Sequence, residues 1–174
     1  MKKAISLLLA ALMLAVAPLA LADVVKLTEN ASGFDLTIDL PAGTVVSVEH
    51  YDDVPYTFVT LPGADAPLIY VSVAPTEEYE GISVGDLTSD EVETLFAVVS
   101  ADMDSPSYTV ETTDGGYPYL FVQDESETDS AMMILLEDGY FVQMSVWNAN
   151  HAVLTDDDTA TAAALLDTLA IMKD

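Results

Sequence analysis

The side chains able to do chemistry in this chain are almost all carboxylates. There are 30 Asp and Glu against 4 Lys and 2 His, with no Cys and no Arg. The densest run is Asp124-Glu125-Ser126-Glu127-Thr128-Asp129. Calcium takes about six to eight oxygens from spaced acids and backbone carbonyls. Asp124, Glu125, Glu127 and Asp129 are therefore the candidate calcium ligands. Glu77-Glu78-Tyr79-Glu80-Gly81 and Asp102-x-Asp104 are two further acidic stretches. None of the three has the D-x-[DN]-x-[DN]-G spacing of a calcium-binding loop. Calcium is thus the one cofactor the residues raise, and no other is expected.

Other chemistries find less support. A histidine-based zinc site takes three or four protein ligands, and His50 and His151 stand far apart without a paired motif. No Gly-x-Ser-x-Gly elbow occurs, so a nucleophilic triad has no anchor. Sugar hydrolysis needs two carboxyls about 5–10 Å apart in a cleft, and acids this abundant do not single out a pair. No catalytic residue is assigned, and the chain reads as a non-enzyme. Tyr51, Tyr56, Tyr70, Tyr108, Tyr117, Tyr119, Tyr140 and Trp147 fall mainly on strands. Tyr56 and Phe58 share one face, and Tyr119 and Phe121 another. Core packing and cross-strand pairing are expected of them, with a carbohydrate or peptide platform as the functional alternative.

Charge narrows the partners. Nucleic-acid binding needs cations on phosphates, and an anionic membrane surface attracts Lys and Arg. Neither partner suits this chain. Cations, basic partners and neutral surfaces remain. The large negative charge also keeps the chain dispersed, at the cost of self-repulsion that salt relieves.

The start of the chain has its own pattern. Lys2 and Lys3 precede an apolar run from Ala4 to Leu19, and Ala20-Leu21-Ala22 places small residues at a peptidase site. That order predicts a cleavable secretory leader over residues 1–22, cut between Ala22 and Asp23. With no cysteine after the cut, a lipoprotein anchor is not expected, and no disulfides are available. Lys2 and Lys3 leave with the leader. Two lysines then face 30 acids, a formal charge of −28 on residues 23–174. That stretch is one domain, long enough to bury a core without staples.

Phe34-Asp35-Leu36-Thr37-Ile38-Asp39-Leu40 alternates apolar and polar, which predicts a half-buried strand. Pro41-Ala42-Gly43 ends it. Strands are expected over 44–50, 56–61, 68–73, 108–112, 117–123, 131–136 and 140–147, the last two as a hairpin around Glu137-Asp138-Gly139. Thr88 with Glu91, and Thr155 with Asp158, have capping-box spacing. Val92, Leu95, Phe96 and Val99 give the first helix its stripe. Leu165, Leu169 and Met172 are read as the stripe of the last. The expectation is α+β: a mostly antiparallel sheet of about seven or eight strands with two helices packed on it.

Gly33 to Gly43, an aromatic-led alternating strand running into a Pro-x-Gly turn, resembles the opening of PsbP-like domains. The order of elements over residues 23–174 is similar too. The resemblance implies a layered sheet with helices on its faces and a non-catalytic, extracytoplasmic binding or assembly role. The leading expectation is an exported binding or assembly domain with a protein or cell-envelope partner. A calcium- or cation-binding secreted protein is the second reading, and a small extracellular hydrolase the third.

Overall fold

The structure, a computed structural model, describes residues 23–26, 34–51, 54–137 and 139–173. The expected leader, with Ala20 and Ala22, lies outside them, as does Asp138 in the hairpin turn. Asp23, just after the expected cut, begins strand β1 (Asp23–Lys26).

The chain folds as an α+β domain with two sheets. The alternating segment forms β2 (Phe34–Leu40), but it does not join the main sheet. It pairs antiparallel with β1 on one side and with β10 (Ala170–Lys173) on the other. The turn at Pro41-Ala42-Gly43 therefore links two sheets rather than closing a hairpin. Thr44 N–H donates to the Pro41 carbonyl at 3.1 Å, and Gly43 has φ +91°, a left-handed conformation that glycine adopts at little cost.

The main sheet has seven antiparallel strands. In chain order they are β3 (Val45–Tyr51), β4 (Val54–Thr60), β5 (Leu68–Pro75), β6 (Pro106–Thr112), β7 (Pro118–Asp124), β8 (Glu127–Glu137) and β9 (Tyr140–Trp147). Side by side they run β3-β4-β5-β9-β8-β7-β6. The segment 124–129, expected as one acidic loop, is instead a tight hairpin. Asp124 pairs with Glu127 across the turn, and Glu127 and Asp129 belong to β8.

Two helices cover the sheet, one on each face. Helix α1 (Ser89–Val99) starts at Thr88, whose backbone N–H and hydroxyl both donate to the Glu91 carboxylate at 2.7 Å. Helix α2 (Asp156–Leu166) starts at Thr155, whose N–H donates to Asp158 at 2.9 Å. Burial pushes the Asp158 carboxyl up. Hydrogen bonds from Thr155 and from the Asn148 amide outweigh that and hold it below the ordinary range.

The last helix is shorter than its apolar spacing suggests. Thr168 turns back on the Leu165 carbonyl at 2.9 Å, and the Asp167 carboxylate accepts the Gly115 N–H at 2.7 Å. Leu169 and Met172 therefore leave the helix, and Met172 sits in β10 opposite Asp35. The buried stripe of α2 is Ala162, Leu165 and Leu166.

The period-2 pattern sends alternate residues to two cores. On the α2 face, Val71, Met133, Leu135, Val142, Met144 and Val146 pack with Ala162, Leu166 and with Ile38 and Leu40 of the small sheet. On the α1 face, Leu120, Val122, Ile134 and Leu136 pack with Val92 and Leu95.

Candidate functional site

The α1 face changes character along its own strands. On β8 the residues aimed at this face run from Leu136 and Ile134, under the helix, to Met132 and Ser130. On β9 they run from Phe141 to Gln143, Ser145 and Trp147. Register carries the change across the sheet. Ser145 faces Tyr70, and Tyr70 faces Phe58. Tyr56, Phe58, Tyr70 and Trp147 belong to neither core cluster and stay half-buried.

These four rings form one contact group. Tyr70 lies 4.9 Å from Trp147, 5.6 Å from Tyr56 and 5.9 Å from Phe58, centroid to centroid, in tilted or edge-on arrangements. Such geometries suit the ring quadrupoles. The Gln143 side-chain amide donates to the Tyr70 hydroxyl at 3.0 Å and the Ser145 hydroxyl at 3.2 Å, and lies 3.3 Å from the Met132 sulfur. Ser145 is only 1 % exposed, so its hydroxyl depends on this protein partner. The network fixes the ring of Tyr70 from below.

At the end of this aromatic group nearest α1 is a groove of about 290 Å³. Tyr70, Trp147, Met132 and Ser145 line its aromatic side, and Asp102, Met103, Asp104, Asp124 and Glu127 its acidic side. The acids come from two chain segments about 20 residues apart, and Asp124 clips those segments together. Its carboxylate accepts the Asp104 N–H at 2.9 Å and the Ser105 N–H at 3.2 Å. It also accepts the Ser126 hydroxyl at 2.7 Å and the Ser126 N–H at 2.9 Å. The Ser126 hydroxyl and N–H, with help from the 104–105 amides, hold the Asp124 carboxyl down at about 2. An acid with this many donors is a carboxylate at any physiological pH.

The candidate calcium ligands are thus placed as follows. Asp124 is turned to backbone and serine donors. Glu127 lines the groove. Asp129 reaches the His151 Nδ1 at 3.2 Å. Glu125 is exposed at the hairpin corner. Among the described residues, no three Asp, Glu or His side chains gather around a point where one ion could sit. His151 is an exposed partner of Asp129, and the side chain of His50 lies outside the described residues.

A larger cavity, about 460 Å³, lies on the α2 face between β6, β7 and the start of α2. Its tyrosine hydroxyl is already committed: Tyr119 donates to Glu111 at 2.8 Å. Burial, and then the Glu111 carboxylate, push the Tyr119 hydroxyl up, so it stays a neutral donor. Glu111, Gln123, Asp156 and Thr159 line the rest of its polar side, with Phe121 and Ala163 on its apolar side. Both sites combine charge with aromatic surface, but only the groove beside Trp147 continues into a contact group of four rings, and it is the stronger candidate.

Comparison with models of known protein families and with curated proteins finds no match.

Tyr56, Phe58, Tyr70 and Trp147 were all visible as strand residues. Their usual role, core packing, hid the groove that two of them line. The available signal was the polar company of two of them: Ser72 two residues after Tyr70, and Gln143 and Ser145 before Trp147.

Proposed function

We propose that the protein is an exported, non-catalytic binding domain, and that its binding surface is the open half of the α1 face. One observation carries this reading. Four aromatic rings on adjacent strands belong to neither core and stand beside a groove. Grooves that take ligands combine apolar or aromatic walls with a few placed polar groups. Tyr and Trp suit a surface that is wet when free and dry when bound.

Export rests on the leader pattern of residues 1–22. A cut before Asp23 leaves β1 whole, because β1 begins there. The resemblance to PsbP-like domains supports the same non-catalytic role. The partner in this reading is a protein or cell-envelope component outside the cytoplasm.

A photo-crosslinking residue tests the surface. Placed at Phe58 in cells exporting the chain, it gives a discrete adduct. Placed at Val98, an exposed position on α1, it gives none. Equal yields at the two positions would overturn the reading.

A further inference from the structure

We infer that the groove takes the guanidinium of an arginine presented by an extended, basic segment of a partner protein. This rests on the binding-face reading above and adds the chemistry of the occupant.

Charge decides first. The groove's acidic side carries Asp102, Asp104, Asp124 and Glu127, and no Lys or His lines it among the described residues. The only lysines beyond residue 22, Lys26 and Lys173, sit on β1 and β10 of the small sheet, whose Ile38 and Leu40 pack into the α2-face core. Among the described residues, nothing basic lines the groove. A cleft lined by one sign of charge focuses its field on a ligand of the other sign.

The walls then choose among cations. Tyr70 and Trp147 lie 4.9 Å apart with planes 37° from parallel. Their faces attract a cation within about 6 Å. A flat guanidinium stacks on such rings, sheds water more readily than an ammonium, and offers a fork of N–H donors to carboxylates. Asp102 and Asp104 are exposed and line the groove, placed to receive that fork, while Asp124 holds their loop in place. Met103 and Met132, soft and adaptable, suit the alkyl stem.

Size and continuity decide the rest. About 290 Å³ is at the low end of ligand pockets, which run from roughly 300 to 1,000 Å³. It fits one side chain. Beyond it the aromatic surface continues over Tyr70 to Tyr56 and Phe58 in steps of 5.6 and 5.9 Å. A small polyamine would use the groove and leave that surface bare. An extended polypeptide covers both.

Trp147 is the only tryptophan, so its emission reports on the groove alone. The test uses the protein expressed with its own leader and purified as the cell delivers it, at about 0.15 M salt to screen loose attraction. The probes are a blocked pentapeptide with alternating alanine and arginine, its glutamine counterpart, and spermidine. The arginine peptide should change Trp147 emission saturably, at least tenfold more tightly than either control. The Asp102→Asn/Asp104→Asn variant should weaken it about tenfold, two charge pairs being lost. Asp156→Asn/Asp157→Asn removes the same charge at exposed positions opening α2, and should change nothing.

Equal weakening by both variants would mean general attraction and overturn the inference. Glutamine peptide binding as well as arginine would remove the cation, and spermidine binding as well would remove the polypeptide. If arginine peptide fails while the Phe58 adduct persists, the occupant is wrong and the binding face stands. If both fail, both readings fall.

Discussion

One sheet face carries two surfaces built from the same strands. Under α1, Leu120, Val122, Ile134 and Leu136 are at most 1 % exposed and purely aliphatic. A few residues further along β8 and β9, the positions aimed at the same face are Met132, Ser130, Gln143, Ser145 and Trp147. A core left uncovered by mistake would keep its Leu and Ile. Here the residue type changes where the helix stops. Aromatic rings with polar handles replace branched aliphatics, and a hydrogen-bond network underlies them. The difference sets the two halves apart among the described residues and supports the proposed binding surface.

Substitutions that treat the two halves alike should separate them. Leu120→Ala, in the covered half, should cost about 2–5 kcal/mol in urea unfolding, the range for a buried leucine. Phe58→Ala, in the open half, should cost about 1–2 kcal/mol, since a half-buried ring has less contact to lose. Similar costs at both positions would mean that the open half is core.

Next comes the cover itself. Thr88→Ala removes the hydroxyl from the box that starts α1 and should cost about 1 kcal/mol. Hydrogen exchange should show the first turn of α1 fraying while β4 and β5 keep their protection. If β4 and β5 loosen equally, the helix supports both halves and the distinction weakens.

The clip at Asp124 sits between the two halves, and its effect depends on pH. Asp124 ionises at about 2 in the folded chain against an ordinary 3.8. The folded state therefore holds fewer protons than the unfolded one between those values. Its contribution is full above pH 3.8 and is lost as pH falls from there through 2. Asp124→Asn should remove that part of the acid sensitivity. The melting-temperature gap between wild type and variant should be widest above pH 4 and close towards pH 2. Taking the difference between the two proteins at each pH cancels the self-repulsion common to both. A gap independent of pH would show that the carboxylate's charge does not matter to the clip.

The smallest effect concerns salt. With the Asp124 oxygens engaged by amide and hydroxyl donors, calcium and sodium chloride at matched ionic strength should raise the melting temperature alike, by screening. A saturable rise specific to micromolar calcium would favour the calcium reading instead.

Much of this was legible beforehand. Thr88 with Glu91 and Thr155 with Asp158 mark helix starts because a capping box is a local device, complete within four residues. The Phe34–Leu40 alternation and the β8–β9 hairpin, with Glu137 opposite Tyr140, are equally local. What was not legible is which strand lies beside which. β2 looked ready to pair with its neighbour in sequence, yet its partners are β1 and the far end of the chain. Leu165, Leu169 and Met172 fit a helical stripe by spacing alone. The Asp167–Gly115 contact, 52 residues apart, adds to the Thr168 turn a tie that no local spacing shows. The groove was hidden for the same reason. Asp102 and Asp104, and the acids from 124 onward, were visible as two separate acidic stretches. Their meeting beside Trp147 depends on the Asp124 clip, which no spacing rule encodes.

In the proposed reading the open half of the α1 face binds, and no other acidic surface does. Mapping backbone amide shifts by NMR while adding the arginine pentapeptide tests it most directly. The predicted shifts gather on β4, β5, the Trp147 end of β9 and residues 102–104, and leave Asp156–Asp158 and the α2 face unmoved. Shifts spread over every acidic segment, the start of α2 included, would contradict it and leave a charged surface without a site.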